Sequence, residues 1–154
     1  MSAATAPSAA LTVCVVVDRG RRWALPVAAV SEVADLDAPL PLPRCPAAVI
    51  GLGNLRGQAV AVVDLGTLLV GDPPRPPGRT TVAVVRLPGA AAGLAVERVE
   101  AVLAYDALAV AAAQRGDPPA CVGRLPGEPP ALLVSTASLA AALVAARPAR
   151  TRTT

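Results

Sequence analysis

Short, valine-rich apolar runs alternate with turn signals about every ten residues along this chain, a rhythm that favours an all-β barrel or sandwich over a helical bundle. Leu11 to Asp18 and Arg21 to Val27 read as strands joined at Arg19-Gly20, with Pro26 ending or bending the second. A proline-rich connection, Ala38 to Pro46, leads into Val49-Ile50-Gly51-Leu52-Gly53-Asn54-Leu55-Arg56-Gly57, which turns at the glycine and returns as Gln58 to Leu65. That pattern is a β-hairpin presenting one cation at its bend. Asp64 is suited to cap the short apolar turn Leu65 to Val70.

Gly71-Asp72-Pro73-Pro74-Arg75-Pro76-Pro77-Gly78 is the clearest boundary, extended and semi-rigid because of its prolines. Beyond it, Thr80 to Leu87 turns at Pro88-Gly89 and returns through Gly93 to Val96. Proline second and glycine third in a turn suit a type II bend. The same chemistry recurs at Pro126-Gly127, between Cys121 to Leu125 and Ala131 to Val134. Thr136 to Arg147 is the one convincing helix, capped by Ser135 or Thr136.

The halves echo each other. Val27, Val30 and Val33, followed by Asp35 and Asp37, match Val96, Val99 and Val102, followed by Asp106; Pro46-Ala47-Ala48-Val49 matches Pro119-Ala120-Cys121-Val122. An offset of roughly 70 residues in both places indicates a duplicated unit, two small barrels. The expected organisation is a flexible start over residues 1–10, a first barrel over about 11–71, a linker over 72–79, a second barrel over about 80–146 with strand exchange between them allowed, and a disordered tail over 147–154.

Composition constrains the core and the partners. The apolar share of 54% is Ala, Val and Leu, with Trp23 and Tyr105 the only aromatics and no Phe, so small side chains must fill the interior. The net charge of +3 comes from scattered arginines without a single lysine. Nucleic-acid binding asks for a basic stripe and stacking aromatics, which argues against it here. Cys14, Cys45 and Cys121 are odd in number and too far apart for a metal-ligand pair, which suits a reducing compartment. No signal-peptide pattern opens the chain, and no unbroken apolar run reaches the ~20 residues that span a bilayer. The expectation is a soluble cytoplasmic protein without membrane insertion.

Candidate chemistry is sparse. Histidine is absent, which removes Ser-His-Asp and Cys-His catalysis and the commonest zinc ligand. The carboxylate neighbours Asp35 and Asp37, and Glu97 and Glu100, fit a solvated face as well as an acid/base pair. Gly51-x-Gly53 lacks the third glycine and the lysine of a phosphate loop. No cofactor and no metal are expected. Glu32 lies between Val30 and Val33, and Arg56 at the hairpin bend; opposite charges in apolar surroundings are expected to face each other, two independent surface charges being the alternative.

The run Val30-Ser31-Glu32-Val33, then Pro46-Ala47-Ala48-Val49-Ile50-Gly51, Asn54-Leu55-Arg56-Gly57 and Val62-Val63-Asp64-Leu65 closely resembles the CheW chemotaxis coupling proteins. Gly93-Leu94-Ala95-Val96-Glu97-Arg98-Val99 is similar to their Gly-Leu-x-Val-Asp-x-Val segment, so the resemblance covers about residues 11–146. It implies a mainly β fold of two five-stranded SH3-like barrels packed side by side with a C-terminal helix, and no enzymatic activity. It further implies an adaptor coupling chemoreceptor cytoplasmic tips to the regulatory domain of a CheA-type histidine kinase. A receptor-binding groove would then involve Val30, Glu32, Val33, Asn54, Arg56, Gly57 and Val99, with Glu32 and Arg56 as a structural ion pair. Ala61 replaces a common proline, Gly53 precedes Asn54, and Val134-Ser135 stands where an aspartate or asparagine commonly follows the last strand; with the small core these departures point to a divergent member. A small-barrel module binding single-stranded nucleic acid or a small ligand is the alternative function.

Overall fold

A computed structural model describes residues 10–76, 78–118 and 120–146. The expected flexible start and tail lie outside these residues, except that Ala10 begins the first strand. The first half runs through β1 (Ala10–Asp18), β2 (Arg21–Pro26), β3 (Val30–Leu36), β4 (Val49–Leu55), β5 (Gln58–Asp64) and α1 (Leu65–Val70). The second repeats that succession as β6 (Thr80–Leu87), β7 (Ala90–Val96), β8 (Arg98–Asp106), β9 (Cys121–Leu125), β10 (Ala131–Val134) and α2 (Thr136–Ala145).

Local chemistry accounts for the hairpins and caps. Arg19-Gly20 and Arg56-Gly57 are two-residue loops with φ of 51° and 75°, and 50° and 85°. Both positions are left-handed, the type I′ geometry whose twist suits an antiparallel hairpin. Gly89, at φ 77°, supplies the third position of the Pro88-Gly89 bend. Asp64 accepts a hydrogen bond from the Thr67 amide at the start of α1, and Ser135 accepts one from Ser138 at the start of α2. The last described helical residue of α2 is Ala145; the expected end at Arg147 lies outside the described residues.

The strands form two five-stranded sheets. The first has the order β8-β1-β2-β10-β9 and the second β3-β6-β7-β5-β4. In each, an opening hairpin from one half joins three strands of the other, through a parallel contact of β2 with β10 or of β7 with β5. The division expected at 72–79 therefore does not coincide with the boundary between sheets: β5 and β7, on either side of it, are hydrogen-bonded neighbours. The chain changes sheet twice instead, at Pro26, where β2 ends and the 3-10 turn Val27–Ala29 leads into β3, and at Glu97, between β7 and β8. The two orders superpose when each strand number is advanced by five, so the sequence echo corresponds to a duplicated topology with exchanged first hairpins.

Side-chain alternation sorts the interior into three clusters. Val13 and Val15 of β1 join Ala24, Leu125 and Ala131 inside the first sheet, while Val82 and Val84 of β6 join Leu36, Val60, Val62 and Ala95 inside the second. The intervening residues Cys14, Val16, Ala83 and Val85 point the other way, into a larger cluster that includes Trp23, Leu94 and Leu139 of α2. Strands buried on both faces are why β1 and β6 read as unbroken apolar runs.

Beyond β3 the chain bridges to β4 at the opposite edge of the second sheet, through hydrogen bonds between Leu40 and Leu52. Gly51 permits this approach, because a Cβ there would collide with the Leu40 carbonyl. Gly51→Ala is expected to lower stability by about 1–3 kcal/mol, read as a lower urea midpoint at unchanged slope. A parent-like midpoint would show that the bridging segment yields freely.

Candidate functional site

Arg56 occupies the first loop position between β4 and β5, and Asn54 steadies that turn by accepting a hydrogen bond from the Gly57 amide at 2.7 Å. A left-handed arginine costs about 1–3 kcal/mol relative to relaxed backbone. This turn aims the guanidinium at β3, where Nη2 lies 2.6 Å from Glu32 Oε1. Hydrogen bonding to Glu32 raises the already high pKa of Arg56, so the cation is permanent. Its side chain is 74% exposed, so solvent screens the pair and the charge stays available to a partner.

The pair joins opposite edges of the second sheet, since β3 and β4 are its outer strands. A bulge between Val30 and Glu32 shifts the register of β3, and Ser31 Oγ donates to the Val84 carbonyl at 3.1 Å. Around the pair lies a cleft of about 440 Å³, to which Ser31, Leu55, Val60, Val84 and Ala91 contribute one residue from each of the five strands.

Other expected groove residues fall elsewhere. Asn54 and Gly57 border a separate depression of about 300 Å³ with Leu40 and Leu52. Val30 pairs with Val85 and Val33 with Ala83, so both face the side of the second sheet that carries the shared core; Val30 packs against it and Val33 remains 45% exposed. Val99 belongs to β8 in the first sheet, packed against the same core, and does not line the cleft around Arg56. Val102, its neighbour on that face, is exposed and matches Val33 in the duplicated topology. The Val99/Val102 echo in the sequence carried this signal.

A buried ionic cluster went unrecognised in the sequence. Arg75, flanked by prolines, places Nη2 at 2.7 Å from both carboxylate oxygens of Asp18 and Nε at 3.1 Å from Asp64 Oδ2; its amide also donates to Asp64. Arg19 donates to Asp64 at 2.9 Å and approaches Asp72, which Arg21 holds at 2.6 Å. Asp18 and Asp64 are almost wholly buried. Burial pushes the Asp18 carboxyl up against the pull of Arg75. For Asp64 the same desolvation is outweighed by the amides of Arg75 and Thr67 and by the Arg75 guanidinium, which hold it below the usual range. The available signal was position: each aspartate directly ends an apolar strand.

In the first sheet Arg22 of β2 ties the edges instead, donating to Glu100 of β8 and to the Pro129 carbonyl in the β9–β10 loop. Arg124 holds Asp117 at 2.8 Å through Nε, and this contact pulls the Asp117 carboxyl down to about 2. Among the described residues no group of three or more His, Cys, Asp or Glu is arranged to hold a metal, and no helix is long and apolar enough to cross a membrane.

The sequence matches the family model described as CheW-like domain over residues 12–143. Among solved structures, the fold is similar to the scaffolding protein TtCheW from Thermoanaerobacter tengcongensis, with a TM-score of 0.72 and 21% identity over 82% of this chain and 90% of that one. No curated protein sequence matches the chain.

Proposed function

The chain belongs to the CheW-like domain family, a family of chemotaxis scaffolds, and from that premise we propose that it is a non-enzymatic cytoplasmic adaptor coupling a chemoreceptor tip to the regulatory domain of a CheA-type histidine kinase. The observation that carries this reading is the Glu32–Arg56 pair on the rim of the five-stranded cleft. A permanent, exposed cation fixed beside apolar surface suits an amphipathic helical hairpin bearing a carboxylate. The kinase domain would use a different surface, the edges of the first sheet, because an adaptor must hold both partners at once. Strand edges present unpaired backbone groups to another β domain. Association with receptor arrays would then come through protein contacts alone.

The alternative, a small-barrel module for single-stranded nucleic acid or a small ligand, has less support: Trp23 is completely buried and Tyr105 packs against the cluster inside the first sheet. Size-exclusion chromatography of the purified chain with a receptor signalling fragment and a kinase regulatory domain separates the readings. A ternary complex is the expected result. Binding to neither partner, with retention of an oligothymidine probe, would replace the adaptor by the alternative.

A further inference from the structure

The proline strap that follows α1 has almost no backbone means of holding itself in place. The Gly71 and Asp72 amides close the end of α1 by donating to Thr67 and Gly66, and Pro73, Pro74 and Pro76 have no N–H to give. From Pro73 to Pro76 the one backbone donor is Arg75, and it is spent on the Asp64 carboxylate. Its side chain goes to the same place. Among the described residues Arg75 is the only side chain ion-paired to a carboxylate of each sheet, Asp18 at the end of β1 and Asp64 at the end of β5.

We propose that Arg75 is an ionic latch, which fixes the proline strap across the seam between the sheets and whose removal frees the strap while both sheets stay folded. The sheets do not depend on it for cohesion, because the shared cluster around Trp23, Leu94 and Leu139 and the exchanged hairpins already join them. What depends on Arg75 is the charge balance of the seam. Asp18 and Asp64 face Arg75 and Arg19; Asp72 draws on Arg19 and Arg21; Glu97 accepts from the Arg19 amide. With Arg75 withdrawn, two buried carboxylates share the one remaining guanidinium that reaches them, Arg19 on Asp64. Two such groups in low dielectric retain a proton that solvated carboxylates would lose. Seating the strap and ionising the pair are therefore one linked equilibrium, and protonation favours release.

The sign follows from the direction of that change. A carboxylate whose folded-state pKa rises above its unfolded value contributes stability below the ordinary carboxylate range, and that contribution is lost as pH rises through the folded pKa. In Arg75→Gln the Asp18/Asp64 pair should acquire an apparent upper midpoint raised above the ordinary carboxylate value, seen by carboxyl carbon NMR on the full chain. Relative to the parent, its melting temperature should fall as pH rises from the ordinary carboxylate range through that midpoint and change no further above it.

Amide exchange at residue 75 should speed up about tenfold or more, as expected for a local opening, with the Val15 and Val62 amides of the two sheets unchanged. If the single variant does not fold, Asp18→Asn with Arg75→Gln removes one of the two buried charges and should restore folded sheets with a mobile strap. A protected amide at residue 75 in the variant that folds overturns the latch. So does a joint loss of protection across both sheets, or failure of the double variant to fold, since Arg75 would then be part of the folding core.

Discussion

A chain cleaved between Gly78 and Arg79 will remain one folded particle, and neither fragment will fold when separated. The expectation follows from the strand order. The N-terminal fragment carries β1 to β5, which leaves the β1–β2 hairpin without β8 and β10, the β4–β5 hairpin without β7, and β3 without β6. The C-terminal fragment is the mirror case, with two hairpins and β8 alone. Isolated hairpins are marginal in water at best. Each fragment also lacks partners for the shared core, where Val16, Trp23, Val63 and Leu65 meet Ala83, Leu94, Val134 and Leu139. The loss thus exceeds the whole stability of a domain this size, about 5–15 kcal/mol. Nicked protein should elute at the parent volume, whereas the fragments purified in denaturant should show disordered circular dichroism alone and regain strand signal on mixing. A single half with a cooperative melt would show that each sheet is self-sufficient.

What the sequence revealed and concealed divides along the same line. Hairpins were legible where their determinants are local: Arg-Gly or Pro88-Gly89 at the bend, apolar runs either side, and Asp64 or Ser135 at the helix starts; Pro126-Gly127 instead opens a five-residue loop, 126–130, with Gly127 at φ 155° rather than in a type II bend. Which hairpin joins which sheet was not, because β2 reads the same whether its neighbour is β10 or β5. Pro26 marked one of the two crossings, but a proline that ends a strand looks like one that bends it. The strap was visible as composition, and its natural reading was a boundary between barrels. Its one charged side chain between prolines, Arg75, gave no local sign of reaching two aspartates 57 and 11 residues away. Glu32 and Arg56 were easier, since a lone cation at a hairpin tip and a lone acid in a valine run have few other partners. Their neighbours were harder: the bulge at Ser31 reverses the sidedness of β3, so Val30 and Glu32, two residues apart, do not share a face.

That placement decides how the receptor surface is best tested. Val99 packs against the shared core, so Val99→Asp would bury a carboxylate and confound lost binding with lost fold. Glu32 and Arg56 lie on the rim, where solvent screens them, and reversing either charge should leave the fold and its melting temperature almost unchanged. For receptor binding the effect should be far larger. Arg56→Glu removes the cation offered to the partner and sets two carboxylates within reach of each other; Glu32→Arg leaves the cation but repels it from the position that the turn gives it. Each single change should weaken the affinity for a receptor signalling fragment about tenfold or more, a loss of about 1.4 kcal/mol, with kinase-domain affinity within about threefold of the parent. The double reversal, Glu32→Arg with Arg56→Glu, restores the pair in the opposite sense and should recover part of the loss, the coupling appearing as departure from additivity. Isothermal titration of the four proteins against both partners measures all of these terms. If the double reversal binds no better than the weaker single variant, the receptor reads one charge alone and the pair serves only to join β3 to the hairpin.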